Sequence, residues 1–167
     1  MAAGDPVLEL YRRVGRGLYA YARSLSGRAD LAEDLVQEAF LRYLQGGRSP
    51  TDEAGPSFLY GIVRNLGLDL ARKSAVHDKH EPEVARALAD KLAASTGPEE
   101  VLTALAFAEL QQLPLDQREV VVLKVFGGLT FDEIGAVVRA PAATAASRYR
   151  YALEKLATRL TARQEAR

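Results

Sequence analysis

Six basic side chains, Arg139, Arg148, Arg150, Lys155, Arg159 and Arg163, stand against one acid, Glu154, in the C-terminal part of the chain. A helix carrying this pattern presents a face suited to phosphates. Just upstream, Thr130-Phe131-Asp132-Glu133 has the spacing of a capping box: the Thr130 hydroxyl accepts from the Glu133 amide, and the Glu133 side chain returns to the Thr130 amide. The helix that starts there is short, because Pro141 and the small residues around it stop it after Val138, and a new helix runs from about 142 to 161. Short helix, tight turn and long basic helix is the order of a helix-turn-helix unit, whose second helix enters a major groove through its N-terminal residues. Thr144, Ser147 and Arg148 are then placed to touch bases. Arg148 is the leading reader, because guanidinium can bond guanine in a bidentate way, whereas Ala145 and Ala146 offer only methyl contacts or close approach. Arg150 and Lys155 belong to the flank that meets phosphates. An ordinary helical bundle can contain the same capped pair, so the motif by itself leaves both readings open.

The chain has little inventory for catalysis. It contains no cysteine, which excludes a disulfide framework, thiolate metal ligation and a cysteine nucleophile together. His77 and His80 have no carboxylate or thiolate cluster beside them, so no metal site and no cofactor is expected. No glycine-rich phosphate loop follows a strand. The absence of cysteine suits a reducing cytoplasm. Asp5 and Glu9 occupy the stretch where an export signal would be basic and then apolar. Apolar runs such as Val120-Val121-Val122-Leu123 fall far short of the about 20 residues that cross a bilayer, so no membrane insertion is expected.

With 48% apolar and 26% charged residues, the composition is that of a folded protein. The net charge of zero hides a segregation. Basic residues number ten against nine acids over 1–74, three against six over 75–100, and nine against seven over 101–167.

These residues must be positioned by helices, since apolar residues recur at helical spacing and no window alternates long enough for a strand. The fold class expected is all-α. A first helix over 6–24 has Val7, Leu10, Tyr11, Val14, Leu18 and Tyr21 as its stripe. A second, over 30–44, starts at Asp30 and packs Leu31, Leu35, Ala39 and Leu41. The glycine- and proline-rich stretch 45–56 is a loop. Ser57 then caps a third helix to 73, with Phe58, Leu59, Ile62, Val63, Leu66 and Leu70 on one face and Arg64, Asn65, Asp69, Arg72 and Lys73 on the other. Gly61 and Gly67 each weaken this helix by up to about 1 kcal/mol relative to alanine. The polar, acidic stretch from 74 to 100 is a flexible linker with a weak helical patch near 84–92. Helices over 98–113 and 115–126 follow, then a break at Gly127-Gly128. In the last helix Leu153, Leu156 and Leu160, with Tyr149, form the expected core face. Two small helical domains result, at 5–74 and 98–163, joined by residues 75–97.

Leu113-Pro114, Gln117-Arg118-Glu119-Val120-Val121, Gly128-Leu129-Thr130-Phe131-Asp132-Glu133-Ile134 and Ser147-Arg148 resemble region 4 of the extracytoplasmic-function (group 4) sigma factors of the sigma-70 family. Asp34-Leu35-Val36-Gln37-Glu38-Ala39-Phe40-Leu41 and Phe58-Leu59-Tyr60-Gly61-Ile62-Val63-Arg64-Asn65-Leu66-Gly67-Leu68-Asp69 resemble region 2, in the expected order. The resemblance covers about residues 5 to 163.

It implies a non-enzymatic protein that binds core RNA polymerase and directs it to promoter DNA through −10 and −35 elements. Asp34, Gln37, Glu38 and Arg42 would then dock on the β′ coiled coil, where they would otherwise be a solvated helix face, and the second domain would meet the β flap. The loop 46–56 and the next helix would capture an unstacked −10 base. Asn65 and Asp69 would read a base edge, with Arg64, Arg72 and Lys73 on phosphates. Asp69 could instead only balance Arg72 or Lys73, and Tyr60 either stacks on a base or joins the core. The acidic linker would thread through the polymerase, and a separate anti-sigma protein would restrain the factor. Arg139 departs from the family by standing where the turn usually has glycine, and Ala146 and Gly61 occupy places that are often basic. Two other readings remain: a stand-alone helix-turn-helix regulator on operator DNA, acting as a dimer, and an interaction protein that has lost its DNA contacts.

Overall fold

Asp5 opens the first helix by accepting from the Val7 amide at 2.9 Å, with Pro6 at the first helical position, where its missing N–H costs nothing. The computed structural model describes residues 4–74 and 98–166, the side chains of 74 and 98–104 excepted. Among them are seven helices and no strand: α1 (Pro6–Ser26), α2 (Ala29–Gln45), α3 (Gly55–Ser74), α4 (Pro98–Gln111), α5 (Leu115–Val125), α6 (Phe131–Val138) and α7 (Ala142–Glu165). The all-α expectation holds. The expected linker 75–97, with His77, His80 and the helical patch near 84–92, lies outside the described residues.

α1, α2 and α3 form a first bundle around Leu10, Val14, Leu18, Tyr21, Ala32, Leu35, Val36, Ala39, Phe40, Tyr43, Leu59 and Val63. Five expected core residues lie outside it, Val7 and Leu31 being only half-buried. Tyr11 and Leu41 are exposed, and Phe58 is exposed beneath the Arg48 guanidinium. Two helix starts also differ from expectation. α2 begins at Ala29 without a side-chain cap, and Asp30 sits in its first turn, hydrogen-bonded to Arg28, which holds its carboxyl below the usual range. Ser57 does not cap α3. Asp52 accepts from the Ala54 amide at 3.0 Å just upstream, so the helix starts earlier, and the Ser57 hydroxyl donates back to the Ala54 carbonyl.

α4 to α7 enclose a second core of Leu110, Leu113, Val120, Val121, Val122, Leu123, Leu129, Ile134, Val137 and Val138. α7 contributes Ala145, Ala152, Tyr149 and Leu156 to it, a stripe stepping by three or four residues. The expected core leucines Leu153 and Leu160 are instead 42% and 51% exposed. The buried alanines let α7 lie close against α5 and α6, and that close approach selects the stripe one residue away from Leu153 and excludes it.

The two bundles touch, α3 against α6 and α1 against α5. Gly17 makes the approach possible. A Cβ there would collide with the Tyr60 hydroxyl and come within 2.9 Å of the Phe126 carbonyl oxygen.

Candidate nucleic-acid interface

The helix-turn-helix is built by local bonds. Thr130 Oγ1 accepts from the Glu133 amide at 3.2 Å and Glu133 Oε1 accepts from the Thr130 amide at 3.1 Å, completing the capping box. α6 ends at Arg139, which takes the left-handed conformation at φ 59° and ψ 48°. A Cβ on Gly135 would come within 2.5 Å of the Ala140 carbonyl oxygen, so the turn folds tightly back on α6 only because that position is glycine. Pro141 then starts α7.

On α7, Thr144, Ser147 and Arg148 are half-buried, while Arg150 and Lys155 are exposed. Positions 144, 147, 148, 151 and 155 share one helical face. Ala145 does not belong to it: it is 0% exposed and packs in the core, so the expected DNA contact there is corrected. Arg148 Nε lies 3.7 Å from Asp116 Oδ2 in a partly exposed pair, the kind that water and salt readily exchange. Tyr151, which the sequence analysis passed over, is exposed one turn beyond Ser147, with the Arg150 guanidinium 5.2 Å from its ring. The signal available was its spacing from Ser147 and Arg148.

On α3, Asn65, Asp69, Arg72 and Lys73 line an exposed face, and Arg72 Nη1 lies 3.5 Å from Asp69 Oδ1, the local pairing weighed for Asp69. Tyr60 is corrected. It is 1% exposed, and burial pushes its hydroxyl pKa up to about 12, so it is a core residue in this arrangement and presents no ring for a base.

Arg64 is covered as well. Its Nε donates to Glu119 Oε1 at 2.8 Å, and the Tyr21 hydroxyl donates to the same oxygen at 2.6 Å. Burial, which would lower the Arg64 pKa, is outweighed by the hydrogen bond and charge of Glu119, so it is raised. Burial, followed by the Glu119 charge, drives the Tyr21 hydroxyl well above its usual value. Glu119 was not singled out from the sequence. An acid directly before the apolar run 120–123 was the available signal.

The loop after α2 is tied down. The Tyr43 hydroxyl donates to the Ser49 carbonyl at 2.7 Å, Ser49 Oγ and Thr51 Oγ1 are 2.8 Å apart, and the Arg48 guanidinium stacks 3.5 Å from the Phe58 ring centroid. Phe58 thus offers an exposed aromatic edge beside a cation at the loop's foot.

On α2, Asp34, Gln37, Glu38 and Arg42 are exposed at spacings of three and four residues, with exposed Leu41 among them and Glu38 bonded to Arg42 at 2.8 Å. Among the described residues no group of His, Cys, Asp and Glu could hold a metal ion, and no helix is long and apolar enough to cross a membrane.

Residues 10–76 match the family model for sigma-70 region 2, and residues 107–156 match that for sigma-70 region 4. The chain is 36% identical over 146 residues to the ECF RNA polymerase sigma factor EcfG of Rhodopseudomonas palustris (strain TIE-1), which covers 86% of this chain and 78% of that protein. It is 32% identical over 151 residues to the ECF RNA polymerase sigma factor SigM of Mycobacterium tuberculosis (strain ATCC 25618 / H37Rv), covering 89% and 74%. With the ECF RNA polymerase sigma factor SigW of Bacillus subtilis (strain 168) it shares 28% identity over 154 residues, covering 86% and 82%. A stand-alone operator-binding regulator does not account for a region 2 match lying ahead of a region 4 match. The chain belongs to the extracytoplasmic-function sigma factors of the sigma-70 family, which bind core RNA polymerase and direct promoter-specific initiation of transcription.

Proposed function

We propose a division of labour for the initiation that this chain directs. α7 reads the −35 element through Arg148, Thr144 and Ser147, with Arg150 and Lys155 on phosphates. The Asn65 and Asp69 face of α3, flanked by Arg72 and Lys73 and bordered by the loop 46–56 with Phe58, meets the −10 element. Asp34, Gln37, Glu38 and Arg42 ring Leu41 on α2 and dock on the β′ coiled coil, while the second bundle sits on the β flap. Residues 5–74 and 98–163 are the working units and 75–97 their tether. The protein catalyses nothing, acts in the cytoplasm and is restrained by a separate anti-sigma chain.

The observation that carries this reading is the helix-turn-helix geometry, in which a capped α6 and the left-handed Arg139 set α7 with Arg148 and its basic flank facing outward. The test is transcription in vitro with core polymerase on the region upstream of the protein's own gene. Start sites that require the protein support the reading. Failure to bind core polymerase at all overturns it.

A further inference from the structure

Between α5 and α7 lies an open crevice of about 580 Å³, lined by Gln117, Tyr151, Glu154, Lys155, Thr158 and Arg159. Two polar atoms of this lining, Arg159 Nη1 and Gln117 Oε1, are buried without a hydrogen-bond partner among the described residues. The rest of the Arg159 guanidinium is barely engaged, with Nη2 3.4 Å from the Gln112 carbonyl oxygen. We propose that this crevice is a seat for one backbone phosphate of the promoter duplex beside the −35 element, held by Arg159 and Lys155 with Gln117 as a third donor. The inference rests on the reading of α7 as the −35 helix.

A guanidinium N–H taken out of water without an acceptor costs free energy until a ligand supplies one, and phosphate oxygens match the guanidinium fork. The protein itself supplies no such acceptor here. Arg163, one turn further on, is committed to Glu109 at 2.6 Å, whereas neither Arg159 nor Lys155 forms an ion pair among the described residues. Exposed Glu154 is the one carboxylate in the lining, so two cations stand against one anion. The Gln117 amide becomes a donor by a half-turn that exchanges Oε1 and Nε2. The Thr158 hydroxyl is already donated to the Glu154 carbonyl at 2.9 Å. Position decides which phosphate is meant. Residues 144, 148, 151, 155 and 159 run along one face of α7, so the crevice continues the strip that begins with Thr144 and Arg148. Arg159 stands eleven residues beyond Arg148, about 16 Å along the axis, and the major groove is only about 8.5 Å deep. A tilted helix whose first turns lie in the groove has by then climbed to the level of the backbone. A phosphate held there carries no sequence information, but it fixes the register in which Arg148 meets its base.

Core polymerase loaded with the full chain, bound to a duplex carrying the mapped promoter, supplies the test. Arg159→Ala should make the slope of log affinity against log salt shallower by about 0.9, the share of one duplex phosphate, and should weaken binding equally on promoters with altered −35 bases. Glu154→Gln, a change at an exposed position, should tighten binding by about 1.5- to 5-fold, the range for a single surface charge. Damage to the fold would not tighten it. Duplexes carrying single uncharged methylphosphonates around the −35 element should then identify one position that weakens the unaltered chain and leaves Arg159→Ala unaffected. Should circular dichroism show Arg159→Ala unfolded, Lys155→Ala, at an exposed position, takes its place and should couple to the same phosphate. An unchanged salt slope, or the absence of any coupled position, would overturn the proposal. So would inorganic phosphate raising the melting temperature of the unaltered chain while promoter binding ignores Arg159, because the crevice would then take a free anion. If transcription survives Arg148→Ala, it is the −35 reading that fails, and the methylphosphonate scan still shows whether the crevice holds a phosphate.

Discussion

Arg148 and Arg139 show two ways in which one side chain can serve a helix-turn-helix, here one proposed to read the −35 element. Arg148 is held to Asp116 only at 3.7 Å and in partial contact with water, a pairing of little strength, so the guanidinium is available to guanine. Arg148→Ala should lower −35-dependent transcription by about 5- to 150-fold, the equivalent of one bidentate base contact, with polymerase binding unchanged. Loss of polymerase binding in step with transcription would show a structural role instead. Arg139 contributes through its backbone, being the one non-glycine residue with positive φ among those described. That conformation costs a side-chain-bearing residue about 1 kcal/mol. Arg139→Gly should therefore raise the stability of the second bundle by about that amount in urea unfolding, and an unchanged midpoint would mean that the arginine side chain recovers the cost through its own contacts.

At the scale of elements, the patterns that depend on neighbouring residues were readable and those that depend on packing were not. Thr130, Glu133 and Pro141 fixed the limits of α6 from sequence, because a capping box is satisfied within four residues. Thr130→Ala should cost about 1 kcal/mol in thermal unfolding, and no loss would mean that Glu133 or water caps the helix equally well. α7 is the contrary case. Its leucines and its alanines both recur at helical spacing, and only the closeness of α5 and α6 selects Ala145 and Ala152 for the interior. The sequence therefore located α7 and misassigned Ala145 on it. In α3 the apolar face was legible, but Tyr60 stood open between a base and the core and Arg64 was assigned to an open surface, because what covers them comes from the other half of the chain. Gly61, by contrast, has nothing within 4 Å of where a Cβ would stand. Gly61→Ala should stabilise the first bundle by up to about 1 kcal/mol, and a loss on denaturation would reveal a close approach there.

For the molecule as a whole, the contact that joins the halves pairs Tyr21 with Glu119 across most of the chain, a separation that no local pattern can encode. It nevertheless leaves a titration signature. Tyr60 has its pKa pushed up to about 12 by burial, against about 10 when unfolded, and Tyr21 is raised well above its usual value by burial and by the Glu119 charge. A folded-state pKa above the unfolded one means that the unfolded chain releases its proton first as the pH rises. The stability contributed is thus fully present below pH 10 and is lost as the pH climbs through 12. For Tyr60 the loss is on the order of 2–3 kcal/mol, from about 1.4 kcal/mol per unit. Urea unfolding at a series of pH values should give a level stability up to about pH 9 and a decline beyond it. Tyr60→Phe should make that decline shallower, since one titrating group is gone, while Tyr21→Phe should do so and also weaken the contact between the bundles by removing a donor from Glu119. A decline identical in all three proteins would mean that the tyrosines titrate freely and that the joint between the bundles is already open to water.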